Sequence, residues 1–162
     1  MAEEEITQEA YLRNHVNWML EGCHGQDPVR KLVIAQGRAF IPAPRPTGLT
    51  RREVKWCFHN ALQLARADRS LTYVEGFAAG LTVTDHAWCV TQDGMVIDPT
   101  WAEPENCAYF GVPFKTDYAL DVVARNKESG RVLCWENAVI FDTEPGVYLA
   151  SVAGTPPWAW VE

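Results

Sequence analysis

The sequence predicts an α+β fold, in which helices come first and an antiparallel sheet follows. Up to about residue 69 the apolar residues recur at helical spacing, and from Leu71 onward they alternate as in a strand. Gln92-Asp93-Gly94 then joins two strand-like runs by a link too short for anything but an antiparallel return.

In chain order, residues 5–24 read as a helix with Leu12, Val16, Met19, Leu20 and Cys23 on one face, and Gly22 and Gly25 marking its exit. Asp27-Pro28 supplies a cap and a first-turn proline for a second helix running to Gly37. Three prolines within residues 40–50 demand an extended connection. Thr50-Arg51-Arg52-Glu53 has capping-box spacing, and Val54, Cys57, Phe58, Ala61, Leu62, Leu64 and Ala65 continue a helical stripe to about Arg69.

Strands are expected over residues 71–77, 80–91 and 95–98. Tyr109 to Phe114 reads as a packed loop, 117–126 as a short helix and Arg131 to Phe141 as a β-like run. In the irregular tail, Trp158 and Trp160 are the anchors.

Composition limits the setting. A chain of 162 residues, 48% hydrophobic and 22% charged, fits a single folded domain. No apolar stretch is long enough to span a membrane, and the acidic start MAEEEITQEAYLRNH is not a secretory signal. Twenty-one acidic against 14 basic residues give a net charge of −7, which disfavours nucleic acid as a partner. The five cysteines (Cys23, Cys57, Cys89, Cys107, Cys134) are odd in number and irregularly spaced, so the expectation is reduced thiols in a cytoplasmic protein.

Three residues carry chemistry together. Cys57 lies on an amphipathic helix, His86 in a strand within Asp85-His86-Ala87-Trp88, and Asp98 at the end of the next strand within Asp98-Pro99-Thr100-Trp101. A thiol nucleophile needs a base to take its proton, and the base needs a carboxylate to fix its tautomer. With a three-residue loop at Gln92-Asp93-Gly94, Trp88 sits opposite Asp98, and His86 is diagonal to Asp98 on the same face. A two-residue turn would pair Cys89 with Asp98 and send His86 to the other face. Gly94, at the last loop position, suits the left-handed conformation that the longer loop requires.

Cys57-x-His59 and His86-x-x-Cys89 offer four residue types that bind zinc, but their geometry argues against it, and no metal or other cofactor is expected. Helix positions two apart point about 200° away from each other, and strand positions three apart face opposite sides.

Cys57, the His-Ala-Trp motif at 86–88 and the Asp-Pro-Thr-Trp motif at 98–101 resemble the transglutaminase-like branch of the papain-like cysteine fold. Thr72–Ala78 is similar to the strand that precedes the histidine strand in that group. The resemblance covers a core over 50–101 and leaves a helical part over 1–49, within one domain over 1–162. It implies helices packed on an antiparallel sheet and a Cys57–His86–Asp98 triad working through a thioester.

The implied activity is amide hydrolysis, glutamine deamidation or cross-linking of a protein or peptide substrate. A binding module that keeps the fold without turnover is the alternative. The family opens its helix on the cysteine. Here either residues 51–55 form a separate turn, or Cys57 lies two turns inside and loses the help of the helix end. The papain-type glutamine shortly before the cysteine is absent, so Gln36 stands as a candidate oxyanion donor, and Glu75 and Trp88 as candidate substrate contacts.

Overall fold

The computed structural model describes residues 7–22, 27–126 and 129–160. Cys23, Gly25 and the ends of the expected first helix at 5–6 and 23–24 lie outside the described residues. The fold is α+β, with helices α1 (Gln8–Leu20), α2 (Pro28–Gln36), α3 (Cys57–Ala67) and α4 (Thr116–Arg125) and two short helices, α5 (Pro145–Tyr148) and α6 (Pro157–Trp160). Its strands are β1 (Arg38–Phe40), β2 (Thr72–Ala79), β3 (Val83–Val90), β4 (Val96–Ile97) and β5 (Ala108–Phe114). No helix among the described residues is long and apolar enough to cross a membrane.

Local chemistry explains the helix starts. The Thr7 hydroxyl accepts from the Ala10 N–H, and Asp27 Oδ1 accepts from the Val29 N–H, each satisfying a donor that a first turn leaves free. Leu12, Val16 and Met19 form the buried stripe of α1, whereas Leu20 turns to solvent.

The sheet runs β1-β5-β2-β3-β4 with every ladder antiparallel. Beyond β1, the Ile41 N–H donates to Gly94 O and the Ile41 carbonyl accepts from the Val96 N–H, each at 2.9 Å. The sheet therefore curls until its two outer strands touch. Its inner face carries Phe40, Val74, Ala78, Trp88, Val90, Val96 and Tyr109. Its outer face, with Tyr73, Phe77, Cys89, Phe110 and Phe114, packs in one cluster with the apolar stripes of α1 and α3.

The register is that of the longer loop. Cys89 pairs with Ile97 and Val90 with Val96, which brings Trp88 beside Asp98. The Thr91 N–H closes the loop on Met95 O at 2.9 Å, and Gly94 has φ +79°.

Three sequence expectations are corrected. Tyr109 to Phe114 is not a loop but most of β5, a strand paired on both sides. Gly111 and Pro113 disguise it. Pro113 is accommodated because β1 reaches only as far as Gly111, leaving no ladder partner that needs its missing N–H. Arg131 to Phe141 is not β-like but a strap of turns followed by a 3-10 segment, Trp135–Asp142. Its Val132 and Leu133 N–H groups go to the Glu75 carboxylate instead of a neighbouring strand. In the tail, Trp160 stacks on Phe110 with centroids 5.5 Å apart, but Trp158 is exposed and anchors nothing.

Gly94 and Gly130 both have positive φ, but only at Gly94 would a Cβ collide with backbone, at Ala153 O. Gly94→Ala is expected to cost about 1–3 kcal/mol and more than Gly130→Ala, as read by urea denaturation of the two variants.

Candidate active site

Helix α3 begins at Cys57, with Trp56 in the cap position and making no side-chain cap. The capping box at Thr50 does not form. Residues 51–55 are instead bound to the loop after β4: the Arg52 N–H donates to Pro99 O at 2.7 Å, and Arg51 Nε to Thr100 O at 2.9 Å. Asn60, buried one turn into α3, completes the clamp by donating to Glu53 O and Thr100 Oγ1. These bonds place Cys57 among the free N–H groups of the first helical turn. The half-buried thiol thus lies where a helix end favours negative charge.

His86 lies on the inner face of the sheet and is 2% exposed. On β3 it pairs with Gly76 of β2, which in turn faces Gly111 of β5. These two glycines make room for the packing behind the imidazole, since a Cβ on Gly111 would strike the Trp88 ring. Trp88 stacks near His86 at 6.0 Å, and Trp101 lies closer, at 4.1 Å and 22° from parallel.

Asp98 is fully buried and accepts four hydrogen bonds. Its Oδ2 takes His86 Nε2 and the Tyr109 hydroxyl, each at 2.8 Å, and its Oδ1 takes the N–H groups of Thr100 and Trp101. Because Nε2 is committed to Asp98, Nδ1 is the imidazole nitrogen left for the thiol. Cys57 approaches closely enough that its hydrogen bonding and its charge both act on His86.

The electrostatics follow from these neighbours. Burial pushes the His86 pKa down, but the hydrogen bonds and charges of Asp98 and Cys57 outweigh it and raise the value to about 9. Burial pushes the Asp98 pKa up, yet its bond to His86, the charge of that ring and the Thr100 and Tyr109 donors hold the carboxyl below its ordinary value. At neutral pH the imidazole is therefore protonated beside a buried carboxylate.

The remaining sequence candidates are placed elsewhere. Gln36 ends α2 and lines a groove with Ile140, Phe141 and Tyr148, away from Cys57, His86 and Asp98, so it offers no oxyanion donor to that thiol. Glu75 is neither a surface carboxylate nor a cleft contact. It is wholly buried, accepting from the Tyr73 hydroxyl and from the N–H groups of Val132 and Leu133. Burial raises its pKa, against the lowering effect of those donors. Trp88 is also wholly buried and supports the imidazole from behind, so it does not touch substrate.

Cys89 faces α3, its Sγ donating to Ala61 O, on the sheet face opposite His86. Cys57, His59, His86 and Cys89 are thus not brought together, and among the described residues no group of three or more His, Cys, Asp or Glu side chains is placed to hold a metal ion.

Tyr109 was missed because β5 read as a loop. Its signal is the alternation Tyr109, Gly111, Pro113 against Phe110, Val112, Phe114, which marks one apolar face. No family model, no curated protein and no solved structure matches the chain.

A histidine whose pKa is raised on folding stabilises the fold fully below the unfolded value near 6.5 and ceases to do so as pH rises through about 9. The stabilisation from His86 is on the order of 3 kcal/mol. Denaturation at pH 6, 8 and 10 should show that loss, and His86→Gln should flatten it. The His86 NMR titration midpoint should lie near 9 and fall in Cys57→Ala, which removes one of the groups that raise it. Tyr109→Phe should cost about 1–3 kcal/mol, because it strips a donor from a buried charge.

Proposed function

We propose that the protein is a cysteine-dependent amide hydrolase or acyltransferase, with a papain-like fold of the transglutaminase-like type. The observation that carries this reading is a buried imidazole bonded to Asp98 through Nε2 and close enough to a cysteine at the head of a helix for that cysteine to raise its pKa. The curled antiparallel sheet with helices on its outer face and the Cys–His–Asp order along the chain support it.

In the proposed mechanism, the Cys57 thiolate attacks the amide carbonyl and a C–S bond forms. The Cys57 N–H is one donor for the developing oxyanion. His86 passes its proton to the leaving nitrogen as the C–N bond breaks, leaving a thioester and a free amine. Water or a second amine then gives its proton to His86 and attacks the thioester. The carboxylic acid or new amide departs, and the proton returns the site to its starting state. Asp98 keeps the ring in one tautomer and orientation throughout. Trp101, stacked on the ring, shields the His86–Asp98 bond from water.

Iodoacetamide labelling near neutral pH tests the nucleophile. Cys57 should alkylate well ahead of Cys89, Cys107 and Cys134, and His86→Ala should abolish that preference. Burial makes the competitors unreactive: it raises the Cys89 pKa strongly and pushes that of Cys107 to about 11. Five equally sluggish thiols would support a binding module.

Cys57→Ala should abolish turnover of a trapped substrate while changing stability by less than about 1 kcal/mol. His86→Ala should be nearly as severe. Asp98→Asn should be milder, because it keeps the shape and presents His86 with the wrong tautomer. Melting temperature and turnover measured on the same three variants separate catalysis from folding. Activity loss that only parallels the loss of stability would refute the triad.

A further inference from the structure

We propose that Tyr109 is a positioning residue that tunes the triad: by sharing Asp98 Oδ2 with His86 it weakens the carboxylate's hold on the imidazolium, so that His86 can pass its proton to the leaving nitrogen. This rests on the proposed reaction, in which His86 gives up and regains a proton.

Both donors reach the same oxygen. His86 Nε2 and the Tyr109 hydroxyl each lie 2.8 Å from Oδ2, while Oδ1 is taken by the N–H groups of Thr100 and Trp101. A hydrogen bond to a carboxylate stabilises its charged form and reduces its affinity for a further proton. Charge that Oδ2 commits to the phenol is therefore withheld from the imidazole.

The strand between the two donors makes the reach possible. Tyr109 stands on β5 and His86 on β3, and their partners on the intervening β2 are Ala78 and Gly76. These small residues leave room above β2 for a phenol directed at Asp98. The surroundings are closed to water: Tyr109 is 1% exposed, with the Trp88 ring 5.0 Å and the Trp101 ring 6.1 Å from its own. Hydrogen bonds in so dry a setting act more strongly than they would in water.

The other titratable neighbours leave the tyrosine this role. Asp98 and Cys57 act on His86 directly. Asp85, next to His86 in the chain, belongs to the opposite face of β3, where Arg131 donates to it at 3.4 Å. The Cys107 thiol adjoins the Tyr109 hydroxyl, but it donates to Glu103 O, and burial lifts its pKa to about 11. Burial and the charge of Asp98 hold the phenol itself protonated, so it is a donor at every working pH.

The chemistry needs such a brake. An acid–base group works best with a pKa near the operating pH. Against the lowering effect of burial, Asp98 and Cys57 already raise that of His86 to about 9, and an undivided Oδ2 would carry it further from neutrality.

The test is the His86 titration midpoint, read by NMR in the wild type, in Tyr109→Phe and in protein carrying 3-fluorotyrosine at position 109. Tyr109→Phe leaves Oδ2 to the imidazole alone and should raise the midpoint by about 0.5 pH unit. The fluorinated phenol keeps the shape of tyrosine but donates more strongly, so it should lower the midpoint. A packing role alone gives neither the rise nor the fall. An unchanged or lower midpoint in Tyr109→Phe overturns the proposal, and if that variant does not fold, a midpoint that fluorination leaves in place or raises does so. The same shifts should persist in Cys57→Ala, and their loss there would overturn the route through Asp98. Shifts as expected together with a Cys57 that alkylates no faster than the other thiols would remove the nucleophile and leave the tuning of His86 standing.

Discussion

The architecture depends on burying one negative charge, that of Asp98. A carboxylate removed from water is costly unless its lone pairs are met, and here four donors meet them. Those donors come from separate places: His86 from β3, Tyr109 from β5, and the Thr100 and Trp101 N–H groups from the turn after β4. The charge can be satisfied only when the sheet is curled and the turn is seated. Once seated, the turn offers Pro99 and Thr100 carbonyls to Arg52 and Arg51 and the Thr100 hydroxyl to Asn60, which sets where α3 begins. The position of Cys57 thus follows from the solvation of a side chain forty-one residues further on.

Glu75 repeats this logic on the outer face of the sheet. It too is wholly buried, but its donors are a tyrosine on its own strand and two N–H groups of the strap. Among the described residues no cationic side chain hydrogen-bonds to it, and its pKa is raised on balance by burial, whereas at Asp98 the bond to His86, the charge of that ring and the other donors outweigh burial. Two carboxylates in one small fold are separated in character by what donates to them. One is held charged beside a histidine, and the other holds a segment of chain in place.

Much of this was legible in the sequence, and the parts that were not share a cause. The α+β class followed from a change of hydrophobic period near residue 70, and Gly94 favoured, without forcing, the three-residue loop that sets the register of β3 on β4. His86 and Asp98 came from residue types at the right offsets. The failures all involve residues whose partners are distant in the chain. Local capping at Thr50 lost to bonds with residues 99 and 100. The strap at 131–134 has strand-like composition, but its N–H groups found a side chain instead of a ladder. Glu75 shares the face of Tyr73 and Phe77, where a carboxylate reads equally as exposed or as a cleft contact, and nothing nearby reveals that the N–H groups of residues 132 and 133 meet it.

The meeting of Ile41 with Gly94 and Val96 has a consequence for the order of folding. Helices α1, α2 and α3 are local and form quickly, whereas β1 must wait for β5, some seventy residues later in the chain, before the ring of strands can close. The Tyr109 hydroxyl likewise reaches Asp98 only when β5 takes its place beside β2. The donor set of the buried carboxylate is thus assembled from two ranges of the chain, twelve residues to His86 and eleven to Tyr109 on the far side of Asp98, so it is complete only once β5 has joined the sheet.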